Sequence, residues 1–240
     1  MLTRVFAFCM LLGGLQKITL LDYPGKVAVI IFTVGCNFVC GFCHNPELVK
    51  VEEKRYQKIS EKEVLDFLKS RRGLLEGVVI TGGEPTLQPD LPEFIRKIKA
   101  LEFLIKIDTN GTNPAMIAAL NQEKLVDFWA MDIKAPLTKY EKITECPVNL
   151  EAIKQSIDLI KNSKVDYEFR STVIHGWHTL EDIAEMARMI DGAKIFVLQK
   201  FIPRENLVSA DFLNQTSLSD TDLQQAAKEC EKWVKKCAIR

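Results

Sequence analysis

A chain of 240 residues is long enough for one large domain with a full hydrophobic core. With 47% hydrophobic and 27% charged residues it has the make-up of an ordinary soluble globular protein. Its 32 basic side chains against 32 acidic ones leave no net field to draw it to nucleic acid or an anionic membrane, and neither is expected as a partner.

Seven cysteines, an odd number with three inside residues 36–43, argue against a secreted disulfide framework. They point instead to metal or redox use in a reducing compartment, the cytoplasm. The opening MLTRVFAFCMLLGG imitates a signal peptide. No small-x-small cleavage site follows cleanly, and the apolar run is far short of the roughly 20 residues that span a bilayer. Residues 1–13 are read as an N-terminal extension and 14–240 as one domain.

Residues 27–33 (VAVIIFT) form a continuous β-branched run, the pattern of a strand buried on both faces. Ser60-Glu61-Lys62-Glu63 is a capping box, followed by an apolar face of Val64, Leu65, Phe67 and Leu68. Strand patterns recur at 77–81, 103–107, 128–132, 167–173 and 194–198. Helices open at Asn113-Pro114, with proline at the first position, at Asn149 and at Thr179, and a last one is expected over 220–236. Strand then helix, six times over, is the signature of an α/β fold with a parallel sheet. Periodicity fits an open doubly wound sheet and a partial barrel equally.

The polar motifs follow the strands. The first strand runs into Gly35-Cys36, the second into Gly82-Gly83-Glu84-Pro85, the third into Asp108-Thr109-Asn110-Gly111 and the fourth ends in Asp132-Ile133-Lys134. Parallel α/β folds place their chemistry at these carboxyl ends, so the four motifs are expected to converge on one site.

Cys36-x3-Cys40-x2-Cys43 presents three thiolates from one short loop. Three thiolates can hold three irons of a cubane and leave the fourth iron open. The alternative is structural zinc with His44 as fourth ligand, although adjacent Cys43 and His44 make poor simultaneous ligands. A Gly-Gly-Glu-Pro turn allows close backbone approach and offers a carboxylate to an ammonium group; alone it is more often only a tight strand-to-helix link. Asp108 either faces a cavity with Asp132 or caps the Asn110-Gly111 turn. Lys134 and Arg170 either meet a carboxylate or form surface ion pairs. Cys230 and Cys237, seven apart, read as small hydrophobes on one face of the last helix, and His175 and His178 as loop structure.

With Phe42 before the third cysteine, Cys-x3-Cys-x-aromatic-Cys resembles the signature of the radical S-adenosylmethionine (SAM) superfamily. Residues 14–48, 80–94 (ITGGEPTLQPDLPEF), 108–114 (DTNGTNP) and 130–136 (AMDIKAP) are similar to the glycyl-radical-enzyme activating enzymes, most of all to activators of anaerobic ribonucleoside-triphosphate reductase. The resemblance implies a partial (βα)6 barrel of the radical SAM type. It implies a [4Fe–4S] cluster on Cys36, Cys40 and Cys43, with SAM on the open iron.

By the same resemblance, Gly82, Gly83, Glu84 and Pro85 hold the methionyl amino group, and Phe42, His44 and Asn110 border SAM. Lys134 and Arg170 meet a carboxylate, while Asp108, Thr109, Asp132 and Ile133 line a monovalent-cation site. Gln199 stands where related activases carry a SAM-contacting histidine. A glycyl-radical enzyme is the implied partner, anaerobic ribonucleotide reductase foremost, with flavodoxin or ferredoxin as electron donor. A radical SAM enzyme acting on a small molecule, or a non-enzymatic iron–sulfur or zinc module, are the competing readings.

Overall fold

The computed structural model describes residues 10–52 and 56–240. Eight strands form one sheet in the order β1 (Leu12–Thr19), β2 (Ala28–Thr33), β3 (Gly77–Gly82), β4 (Leu104–Thr109), β5 (Phe128–Asp132), β6 (Asp166–Val173), β7 (Phe196–Lys200) and β8 (Cys237–Ile239). β1 runs antiparallel to β2, and every later pair is parallel. Spatial order follows chain order without a reversal, so there is no switch point of the doubly wound kind. β1 and β8 do not pair, and the sheet stays an unclosed, partial barrel.

The helices are α1 (Pro46–Val49), α2 (Glu61–Lys69), α3 (Leu91–Lys99), α4 (Pro114–Gln122), α5 (Tyr140–Thr144), α6 (Leu150–Lys161), α7 (Leu180–Met189) and α8 (Asp220–Cys230). Their starts follow the sequence signals. Ser60 and Thr179 make reciprocal capping boxes with Glu63 and Asp182, and Asn113 and Asn149 accept from the backbone N–H three residues on. Among the described residues no helix is long and apolar enough to cross a membrane.

Three expectations shift. Of the extension read over 1–13, residues 1–9 lie outside the described residues, while Met10 and Leu12 are buried in the core and β1 begins at Leu12. β1 escaped notice because its residues LGGLQKIT mix glycines and polar groups on a sheet edge. The last helix ends at Cys230, and 237–239 is an added strand rather than helix.

The period of two along each strand divides the sheet into two faces. Val29, Ile31, Val78, Ile80, Ile105, Ile107, Trp129 and Phe169 pack against the helices in the main core. Full burial of such side chains contributes about 1.5–3 kcal/mol each. The concave face is different. At its amino end Tyr23, Ala28, Ile30 and Val79 form a small apolar plug with Phe32, Leu104 and Phe128. Two residues further along the strands it turns polar.

Candidate active site

The polar end of the concave face opens into a cavity of about 190 Å³. Its first wall is the loop after β2. Gly35 N donates to Leu48 O at 2.8 Å, Cys36 N to Val49 O at 2.9 Å and Val39 N to Thr144 O at 3.0 Å, so the loop is tied on both sides. Cys36, Cys40 and Cys43 all line the cavity. Burial pushes the Cys36 and Cys40 thiols up to about 12, and it raises Cys43 as well. As free thiols they are protonated at neutral pH, and binding a metal releases their protons.

The glycines of the second wall serve the cysteine loop. Gly82 sits at φ +112°, and a Cβ on Gly83 would stand 2.2 Å from Gly35 O. Only glycine lets the two loops touch, which they do through Glu84 N donating to Gly35 O at 2.8 Å. The Glu84 carboxylate is buried and accepts four hydrogen bonds: from Thr86 N (3.1 Å), Thr86 Oγ1 (2.5 Å), Thr109 Oγ1 (2.7 Å) and Asn110 N (2.6 Å). Burial nonetheless raises its pKa against those donors. Glu84 thereby ties the turn after β3 to the turn after β4.

The floor is a row of alternating charges. Lys106 pairs with Asp108, and Arg170 reaches Asp108 at 3.2 Å and Asp132 at 3.0 Å. Lys134 lies 2.9 Å from Asp132. Neither Lys134 nor Arg170 is a surface ion pair: their side chains are 16% and 12% exposed. Burial alone would raise the Asp132 carboxyl, but Arg170 and Lys134 outweigh it and hold it down at about 2. Asp108 is held low in the same way by Arg170 and Lys106. Of this row Lys134 and Arg170 line the cavity, where they can meet an anionic ligand group.

Phe42 is buried between Phe201 and Phe212, with Lys134 Nζ 5.8 Å from its ring centroid. His44 stacks on Phe201 at 5.7 Å, and its Nε2 is buried without a hydrogen-bond partner. In a folded protein such an atom is expected to find one, and His44 lines the cavity.

The profile of the radical SAM superfamily matches residues 30–190. The chain belongs to the radical SAM superfamily. It is a radical SAM oxidoreductase, with a [4Fe–4S] cluster and SAM as its cofactors. It is 34% identical over 236 residues to a Methanocaldococcus jannaschii protein provisionally named a glycyl-radical enzyme activating enzyme, covering 96% of this chain and 95% of that one. It is 27% identical to the 7-carboxy-7-deazaguanine synthase of Clostridium acetobutylicum, over 83% of this chain and 85% of that one. A domain of the pyruvate formate-lyase-activating enzyme from Bacteroides vulgatus shares the fold, with a TM-score of 0.55 at 19% identity, over 69% of this chain and 99% of that one.

The residues fit the cofactors of this radical SAM enzyme. Three thiols on one wall can each serve one iron of a cubane. Among the described residues no three His, Cys, Asp or Glu side chains gather closely enough for a single ion, as a tetrahedral zinc site requires. The orphaned His44 Nε2 and the Lys134 and Arg170 side chains can meet polar ligand atoms.

The structure brings most of the expected site residues to the cavity: Gly82, Gly83, Glu84, Asp108, Thr109, Asn110, Asp132, Lys134 and Arg170 stand beside the cysteine loop. Pro85 and Ile133 are buried and do not line it. Gln199 does not line it either, although its strand partner Thr172 does. All four carboxylate oxygens of Asp108 and Asp132 already carry a side-chain cation, so a monovalent cation there has Lys106, Arg170 and Lys134 as competitors.

Sequence reasoning missed Lys106, Tyr140 and His178. The charge in the apolar strand FLIKI, two residues before Asp108, was the available signal for Lys106. His178 Nδ1 accepts from Ile174 N at 3.2 Å, so Nε2 carries the proton and donates to Lys134 O at 2.9 Å. Tyr140 accepts from Lys134 N at 3.3 Å. Together they fix the backbone that carries Lys134, so His178 is loop structure, as expected, in support of a site residue.

Proposed function

We propose that this protein installs the radical on a glycyl-radical enzyme, and that anaerobic ribonucleotide reductase is its partner. The observation that carries the reading is the end-to-end similarity to the Methanocaldococcus jannaschii protein, over 96% of this chain. A cavity walled by the cysteine loop agrees with it. When bound, the reduced cluster supplies the electron that cleaves SAM to methionine and a 5′-deoxyadenosyl radical, which takes the hydrogen atom.

In this reading Cys36, Cys40 and Cys43 hold three irons. Lys134 and Arg170 take the methionyl carboxylate, each held ready by Asp132. The Gly82–Gly83–Glu84 turn accepts the ammonium, Asn110 and His44 offer polar contacts, and Phe42 flanks the adenine. Gln199, on the strand next to Thr172, is a second-line contact. Asp108, Thr109, Asp132 and Ile133 are the candidate cation site. Residues from Met10 onward work as one radical SAM domain in the cytoplasm, with flavodoxin or ferredoxin delivering the electron.

The test is transfer of the radical. Incubated anaerobically with SAM, a low-potential reductant and a co-encoded anaerobic ribonucleotide reductase, the protein should generate a doublet EPR signal on the partner. The signal should vanish when the partner's radical glycine is changed to alanine. Success only with a formate-lyase-like partner moves the substrate within the class. Deoxyadenosine carrying hydrogen from a small molecule, and never from a glycine, removes the protein from the class and favours a synthase-like activity.

A further inference from the structure

At the wall of the cavity, a ring of three side chains reaches a sulfur of the cysteine loop. Asn110 follows β4, and its side chain closes on the turn it begins: Oδ1 accepts from Thr112 N at 3.0 Å and from Thr112 Oγ1 at 2.7 Å. A backbone N–H can only donate, so the amide atom it meets is the oxygen, and the other is the Nδ2 donor. That Nδ2 donates to Asn37 Oδ1 at 2.9 Å and to Cys36 Sγ at 3.9 Å, the longer reach going with the larger acceptor atom. Asn37 completes the ring by donating from its own Nδ2 to Thr112 Oγ1 at 3.0 Å.

The ring is held from outside as well. Asn110 N donates to the buried Glu84 carboxylate at 2.6 Å, and the Cys146 thiol donates to Asn37 O at 3.3 Å. Asn110 itself is 6% exposed. Its amide is therefore fixed in orientation by partners on three segments of the chain, with a hydrogen directed at Cys36. The same sulfur accepts from Phe38 N at 3.4 Å, a bond that belongs to the loop's own backbone. The Asn110 bond is different, because it comes from another strand end and depends on a side chain.

We propose that Asn110 raises the reduction potential of the cluster through its N–H···S bond to Cys36, with Asn37 and Thr112 as the positioning residues that aim it. The proposal rests on the reading of Cys36 as an iron ligand. The sign follows from charge. A thiolate is a stronger acceptor than the free thiol, so the bond gains strength when Cys36 holds iron. Reduction brings in one electron from the low-potential donor, and part of the added negative charge falls on the ligand sulfurs. A donor aimed at one of them stabilises the reduced state more than the oxidised one, and hydrogen bonds to the sulfurs are among the determinants of cluster potential.

The test is an anaerobic redox titration of the reconstituted protein without SAM, followed by the EPR signal of the reduced cluster. Asn110→Leu has a similar shape and no donor. It should keep about four irons per chain and shift the midpoint downward. At a fixed solution potential its ratio of reduced to oxidised cluster should fall roughly tenfold, about 59 mV for a one-electron couple. Asn110→Asp keeps the oxygen that Thr112 holds and turns a carboxylate oxygen toward the sulfur, so its midpoint should fall further. An unchanged or raised midpoint in both variants, with iron retained, overturns the proposal and leaves Asn110 as a neighbour of SAM alone. Loss of iron from both overturns it too, since Asn110 would then hold the loop and not the potential. Cys36→Ala separates these failures from that of the ligand reading: iron should fall, whereas a full cluster without Cys36 overturns the reading and the proposal with it.

Discussion

Along the concave face, the same strands carry opposite chemistry at their two ends. At the amino end Ile30, Val79, Leu104 and Phe128 close around Tyr23 in a small dry plug. Two to four residues further on, β4, β5 and β6 present Asp108, Asp132 and Arg170, and the loops beyond present three thiols. The sheet register holds the two regions a fixed distance apart: Lys106 stands opposite Phe128, and Asp108 opposite Ala130. The plug gives stability and touches no ligand. The polar end is held by hydrogen bonds and ion pairs that cost desolvation and has glycines where side chains would pack.

The largest expected effect lies at the polar end. Cys36→Ala should abolish SAM cleavage, with iron falling well below about four per chain after anaerobic reconstitution. Retained cleavage would detach the site from the cysteine loop. The plug should respond in the opposite sense. Ile30→Ala should cost about 2–5 kcal/mol of stability by leaving a cavity, read by denaturant unfolding. Iron content and SAM cleavage per folded molecule should stay at the wild-type level. Lost cleavage in the folded variant would mean the two ends are coupled.

Asp132→Asn tests the charge row and should cost about 3 kcal/mol, because it leaves Arg170 and Lys134 short of a partner. The sign with pH follows from the depressed carboxyl. Asp132 ionises at about 2 in the fold against 3.8 for the free group, so its contribution is complete above about pH 4. It is lost as pH falls through 2. The variant should lack that acid limb in unfolding measured between pH 5 and 2. The smallest effect is expected from Lys134→Ala: SAM affinity should fall roughly tenfold or more, about 1.5–3 kcal/mol for a lost charge-assisted hydrogen bond, with iron content unchanged. Loss of iron in step with affinity would make Lys134 a structural residue.

Much of this was legible in the sequence because it depends on neighbours in the chain. Capping residues at 60, 113, 149 and 179 act on N–H groups within three residues of themselves. Apolar runs of strand length name the buried strands, and the motifs at their carboxyl ends name the cavity walls. β1 was hidden because an edge strand needs no continuous apolar run. β8 was hidden because three residues of strand carry no period.

What the tertiary structure alone decided is what each polar residue faces. Gly83 is required by Gly35, 48 residues earlier, and Glu84 serves Thr109 and Asn110 as well as any ligand. Arg170 stands between two aspartates from two other strands. The sequence by itself determined the types of β2 to β7 and of the capped helices, the cofactor-binding loop and the edge of the sheet where chemistry occurs. These depend on local propensity and on a spacing within eight residues. The curl of the sheet and the alternating charge row depend on strand register and crossover packing, where contacts span dozens of residues and leave no periodic trace in the chain.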